Sequence, residues 1–231
     1  AANAMLAMKI SFINEISQLC EKVGANINDV RKGIGSDSRI GYDFIYPSIG
    51  FGGSCFPKDV NSLREQFREV GLTSLISDAT LEVNNKQRKN FSERIFNKLK
   101  NNKAKEKLLT AWGVTFKPDT DDIRESQAIK IIDYLIDKGF KINIYDPKGM
   151  DNAKTYYNGN QNVIFFKEKY KSVENVDALL LLTEWKEFRT LDFKRIKQDM
   201  NQAIIFDGRN IYNEKELAKE GISYFQIGVS D

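Results

Sequence analysis

Apolar residues change their period near residue 107. Downstream they come in short continuous runs: Leu108–Phe116, Ile142–Tyr145, Val163–Phe166, Ala178–Leu182, Ile204–Phe206 and Tyr224–Ile227. Helical patterns lie between several of these runs, notably over Glu125–Lys138 and Glu214–Glu220. Continuously apolar strands alternating with helices predict a parallel sheet covered on both faces. The right-handed crossover rule makes that sheet doubly wound.

Upstream the pattern is helical throughout. From Met5 to Val23, Leu6, Ile10, Ile13, Ile16, Leu19, Cys20 and Val23 recur in steps of three and four, with Gly24 placed to end the helix. A short helix over Asn28–Ile34 is expected next, with Asn28 as its cap and Gly33 or Gly35 as its end. A loop, GYDFIYPSIGFGGSCFPKDV, holds two of the four prolines, and Pro57 suits the first turn of a helix over Lys58–Val70. A long helix is predicted from Ser74 to Lys100, striped by Ile76, Ala79, Val83, Gln87, Phe91, Ile95 and Leu99. At 1.5 Å per residue it would span ~40 Å, the length of a spine or a dimer seam. The polar segment Asn101–Lys107 marks the expected boundary, giving a helical unit over 1–100 and an α/β unit over 101–231.

Composition excludes several chemistries. The chain has 231 residues, enough for one large or two small domains, and its 41% hydrophobic content suffices for packed cores. It contains no histidine, so no Ser-His-Asp triad, Cys-His dyad or histidine-ligated metal can be built from it. Two cysteines cannot form a thiolate zinc site or a disulfide framework, and no metal site is expected. There is no run of ~18 apolar residues to span a membrane. The opening AANAMLAMKISF runs straight into an amphipathic pattern and reads as a helix rather than a signal peptide, which makes the cytoplasm the expected setting. A net charge of +3 without basic blocks does not describe a nucleic-acid surface.

Ligands of open α/β sheets bind outside the carboxyl ends of the strands. Two such ends carry cations here: Gly113–Pro118, with Lys117 and then Arg124, and Phe206–Arg209. Lys117 and Arg209 have the chemistry of a phosphate clamp; a surface lysine and a turn arginine are the equal alternative. No G-x-G-x-x-G fingerprint occurs, so Asp146-Pro147 after the second strand reads as a plain turn rather than a ribose-binding acid. Cys20 falls on an apolar stripe and reads as core. Cys55 sits in a glycine-rich loop just before a helix start, where the helix dipole and Lys58 favour a thiolate. Asp59, in the same first turn, is placed to hold or deprotonate a water. The plainer alternatives are a small residue in a tight loop and an acid favoured by the helix dipole.

Six segments together resemble the UDP-glucose/GDP-mannose dehydrogenase family, and within it the UDP-glucose 6-dehydrogenases. They are Ala1–Glu15, Gly33–Gly41, Gly50–Asp59, Thr115–Ser126, Leu182–Arg189 and Phe206–Tyr212, in family order along essentially the whole chain. The resemblance implies a central helical dimerisation domain followed by a Rossmann-like domain that binds the uridine nucleotide. It also implies that an NAD-binding domain and a catalytic lysine precede Ala1, so that the chain reads as the central and C-terminal part of an NAD-dependent enzyme, inactive alone. By the same resemblance Cys55 is the nucleophile, supported by Asp59 and Asn3. Phe44, Ile45, Tyr46, Pro47, Ser48 and Gly52 wrap the nucleotide sugar, and Arg39 reaches the substrate of the partner subunit. Lys117 and Arg209 contact the UDP-sugar, and Arg124 contacts NAD. The expected reaction takes UDP-glucose to UDP-glucuronate. The alternatives are a dimeric nucleotide-sugar-binding module without catalysis and a GDP-mannose 6-dehydrogenase.

Overall fold

The computed structural model of the chain describes residues 1–100 and 107–230. The expected boundary segment, apart from Lys107, lies outside the described residues. Four helices come first: α1 (Ala2–Val23), α2 (Ile27–Gly35), α3 (Phe56–Glu69) and α4 (Leu75–Leu99). Gly24 ends α1 in the left-handed conformation, φ 73°, with its N–H bonded back to the Cys20 carbonyl. The cap of α2 is Asn26 rather than Asn28: the Asn26 side chain accepts from the Asn28 N–H. Asn28 therefore lies inside the helix it was expected to start.

The second half contains six strands: β1 (Leu108–Trp112), β2 (Lys141–Tyr145), β3 (Val163–Phe165), β4 (Ala178–Leu181), β5 (Ile204–Asp207) and β6 (Ser223–Gln226). They form one sheet in the order β3-β2-β1-β4-β5-β6, every pair parallel. All six apolar runs are therefore strands, and the doubly wound Rossmann-like sheet is present. The first run stops at Trp112 because Gly113, φ 89°, turns the chain away. Helix α5 (Gln127–Asp137) follows β1; it starts two residues later than its pattern because Glu125 has φ 51°. Along β4, Ala178 and Leu180 join one buried cluster and Leu179 and Leu181 the other, so each face of the sheet is covered.

The two units share that core. Phe91, Ile95 and Leu99 of α4 belong to the same buried cluster as Leu109 and Ile144 of the sheet and Ile131 of α5. The first half of α4 departs from the expected stripe. Its buried positions are Ser77, Thr80, Asn84 and Gln87, while Ile76 is 70% exposed. Asn84 and Gln87 are polar on this inward face because they meet loop backbone, which needs hydrogen-bond partners, while the Thr80 hydroxyl donates to the Ile76 carbonyl of its own helix. The carboxyl-terminal segment returns to the helices: Gly228 N–H donates to Glu21 at 2.9 Å and its carbonyl accepts from Ile27 N–H.

Asp146 fastens the carboxyl edge of the sheet. It is buried, and Oδ2 accepts from Val114 N–H at 2.7 Å and from the Trp185 indole N–H at 3.2 Å. Oδ1 accepts from Lys148 N–H at 2.9 Å and Gly149 N–H at 2.6 Å. No acceptor capacity is left over for a ribose, which agrees with the turn reading. Asp146→Ala would orphan these buried donors and is expected to destabilise the fold by about 3–5 kcal/mol, measured by urea unfolding.

Candidate active site

Residues 41–55 contain no helix or strand, yet most of 45–53 is buried. Their backbone groups are satisfied by side chains from three helices. Ser48 N–H donates to Asn14 of α1 at 2.9 Å, and the Ser48 carbonyl accepts from Gln87 of α4 at 3.1 Å. Asn84 takes both groups of Phe51, accepting from its N–H at 2.8 Å and donating to its carbonyl at 3.0 Å. Gln127, at the start of α5, donates to the same carbonyl at 2.7 Å.

The loop also rests directly on the carboxyl edge of the sheet. Ile49 N–H donates to the Gly208 carbonyl and Gly53 N–H to the Arg124 carbonyl, each at 3.0 Å. Glycine is required at two successive positions. A Cβ on Gly52 would strike the Glu125 carbonyl oxygen; Gly53 has φ 83°, and a Cβ there would stand 2.6 Å from the Phe116 ring.

Cys55 is exposed at the N-cap of α3, with Pro57 in the first turn behind it. Its carbonyl accepts from Asp59 N–H at 2.8 Å, closing that turn. Asn3 of α1 donates to Asp59 Oδ2 at 2.6 Å, while Lys58 Nζ stands 3.2 Å from Oδ1. The Asn3 amide and the Lys58 ammonium hold the Asp59 carboxyl below the usual carboxylate range. At neutral pH Asp59 is thus an ionised acceptor, able to orient a water or take a proton. Arg124 meets the loop through its carbonyl, which accepts from Gly53 N–H, and Asp122 fixes its guanidinium through two-pronged bonding, 2.7 Å to Nη2.

The remaining sequence-predicted residues fall at different depths. Phe44 is exposed, with φ 61° and its ring 6.1 Å from that of Phe56 beside Cys55. Ile45 is a core residue packed with Ile13, Cys20 and Ile27, so its side chain faces away from solvent. Cys20 is buried there, as its stripe indicated. Pro47 and Ser48 are buried in the loop, whereas Tyr46 is exposed. Lys117 is exposed after β1, its ammonium 5.5 Å from the Phe116 ring centre. Arg209 is mostly buried after β5; Nε donates to the Leu182 carbonyl at 2.8 Å and faces Glu184 at 3.1 Å. Asp207 holds that turn, accepting from the Arg209, Ile211 and Tyr212 N–H groups and the Tyr224 hydroxyl. Arg39 is exposed and bonded to Asp37 at 2.6 Å within its own loop.

The structure therefore brings Asn3, Cys55, Asp59 and Arg124 together around one loop. Lys117 and Arg209 stand on turns at the carboxyl ends of β1 and β5, with β4 between those strands, and Arg39 belongs to a separate exposed turn. Sequence reasoning passed over Asn14, Asn84 and Gln127, which hold the loop. Their signal was present: polar residues on inward helix faces mark buried backbone in need of partners.

Comparison with known proteins places this geometry. Residues 1–86 match the central domain of the UDP-glucose/GDP-mannose dehydrogenase family, and residues 110–214 match its UDP binding domain. The chain belongs to the UDP-glucose/GDP-mannose dehydrogenase family. It is 42% identical over 231 residues to the UDP-glucose 6-dehydrogenase of Rhizobium meliloti, covering 100% of this chain and 52% of that protein. It is 37% identical over 228 residues to UDP-glucose 6-dehydrogenase TuaD of Bacillus subtilis, covering 99% of this chain and 49% of that protein. Among solved structures, a UDP-glucose dehydrogenase from Pyrobaculum islandicum superposes with TM-score 0.85 at 29% identity, over 100% of this chain and 50% of that one. The chain thus spans about half the length of the curated relatives it matches.

Because the pKa of Asp59 is lowered, its ionised contacts persist above the ordinary carboxylate range and are lost only as pH falls through the depressed value. Asn3→Leu is expected to move that titration upward toward the unperturbed value of about 3.9. Carboxyl-resolved NMR would read the shift, and an unmoved Asp59 would show that Asn3 does not set it.

Proposed function

We propose that this chain supplies the cysteine and the nucleotide-sugar site of an NAD-dependent dehydrogenase that oxidises UDP-glucose to UDP-glucuronate. The observation that carries the reading is Cys55, exposed at a helix start on a loop locked against the sheet ends that bear Lys117, Arg124 and Arg209. Membership of the UDP-glucose/GDP-mannose dehydrogenase family supports the substrate class.

The chemistry follows from these residues. Lys117 and Arg209 hold the diphosphate at the sheet edge, where a cation and a planar fork suit phosphate oxygens. Phe44, Tyr46, the backbone around Ile45, Pro47 and Ser48, and Gly52 wrap the nucleotide sugar. NAD⁺, when bound, supplies the two-electron acceptor for each of two successive oxidations. Its fit to this chain is partial: Arg124 is the contact offered, while Asp146 is committed to backbone and Trp185 donors. After the first oxidation the C6 aldehyde is attacked by the Cys55 thiolate, forming a carbon–sulfur bond and a thiohemiacetal. The second oxidation leaves a thioester. Water, oriented by ionised Asp59 with Asn3 beside it, cleaves that bond, releasing the carboxylate and the thiol. Covalent capture keeps the aldehyde from escaping between the two oxidations.

Fused behind the dinucleotide-binding domain of a relative, the chain is expected to form two NADH per UDP-glucose, and Cys55→Ser is expected to abolish the full reaction. One NADH per sugar would overturn the four-electron route. UDP-glucose outcompeting GDP-mannose is the expected specificity.

The same reading includes a homodimer through the helical unit. Met5, Phe12, Leu19 and Val23 are exposed on one face of α1, at spacings of seven, seven and four. Large apolar residues repeated at that interval form a seam suited to a second helix. Phe12→Glu is expected to convert a dimer to a monomer in sedimentation experiments; a monomeric parent protein would overturn the assembly.

A further inference from the structure

Arg39, Arg124 and Arg209 all lie beside carboxylates: Asp37, Asp122 and Glu184 respectively. Arg31 of α2 is arranged differently. Its guanidinium carbon lies 3.8 Å from the centre of the Tyr46 ring and 5.6 Å from that of Tyr42. Nη2 donates to the Tyr42 carbonyl at 3.3 Å, and Nε is buried with no hydrogen-bond acceptor. One turn further along α2, the absence of a side chain on Gly35 makes room for the Tyr42 ring, whose atoms occupy the space a Cβ would need. A single helix face, 31 and 35, therefore seats both tyrosines of an otherwise irregular arm.

A carboxylate partner would cancel the charge of Arg31. Two rings and a carbonyl do not. A ring face attracts a guanidinium through its quadrupole and leaves the unit charge in place. Tyr46 is more than half exposed on its other side. The arm is thus held by a cation that still attracts anions.

We propose that Arg31 is a positioning residue for the nucleotide diphosphate, seating Tyr46 by cation–π stacking while lending an uncancelled positive charge to the arm. This deepens the reading that residues 44–48 wrap a nucleotide sugar and rests on it. Lysine cannot replace it fully, since an ammonium lacks the planar stacking surface.

The test is UDP binding by calorimetry to the protein and to Arg31→Met, Arg31→Lys, Tyr46→Leu and the Arg31→Met/Tyr46→Leu double variant, with Tm recorded for each. Arg31→Met is expected to weaken UDP binding about 3- to 30-fold and to flatten its salt dependence. Arg31→Lys should fall between, and the double variant should lose no more than Arg31→Met alone. Tm should hold. Wild-type affinity in Arg31→Met, or losses that multiply in the double variant, would overturn the proposal. If Arg31→Met lowers Tm, Tyr46→Leu decides, because its exposed ring is not core: wild-type affinity there overturns the proposal. Failure of the parent protein to bind UDP at all would remove the nucleotide-sugar reading and this inference with it.

Discussion

Backbone satisfaction of an irregular, buried loop is the constraint on which this molecule turns. A strand or helix pairs its own N–H and C=O groups; residues 45–53 form neither, and all but Tyr46 are buried. Side-chain amides take the place of a ladder. Asn84 mimics a strand neighbour by giving Phe51 both an acceptor and a donor. Asn14 and Gln87 fix Ser48 from two helices, and Gln127 reaches the loop from across the sheet junction. Remove Asn14, Asn84 or Gln87 and a buried group is left bare, which costs more than the hydrogen bond itself was worth. The position of Cys55, two residues beyond Gly53, inherits its definition from these contacts.

Much of the fold was legible because it depends on periodicity. Six continuous apolar runs became six parallel strands, and the stepped pattern of α1 became a helix that buries Ile13 and Cys20 but leaves Leu19 and Val23 of the same pattern exposed. What the pattern misjudged was the first half of α4. There the inward face is Ser77, Thr80, Asn84 and Gln87, and an apolar-stripe rule points instead at exposed Ile76. The rule assumes that a buried face meets other side chains; at Asn84 and Gln87 this one meets loop main chain.

The site was legible in a different way. Cys55, Asp59 and the sheet-end cations could be named from local chemistry and resemblance, and their neighbourhood depends on two local rules, helix starts and strand ends. The contacts that assemble them are long-range. Asn3 to Asp59 crosses 56 positions and Gln127 to Phe51 crosses 76, distances over which no sequence period carries information. Arg31 was invisible for the same reason: the stacking rings come from beyond its own helix.

The shared core also bears on how such chains can be recombined. Phe91, Ile95 and Leu99 sit at the end of a helix that begins among the cysteine-loop contacts, yet their packing partners are strands and α5. A crossover between related genes placed in the polar stretch after residue 100 would look harmless, since it falls between α4 and β1. It would pair one parent's three-residue plug with the other parent's socket. Exchange is tolerated only where plug and socket match in volume, so the helix tail and the sheet are inherited as one unit although their domain labels differ.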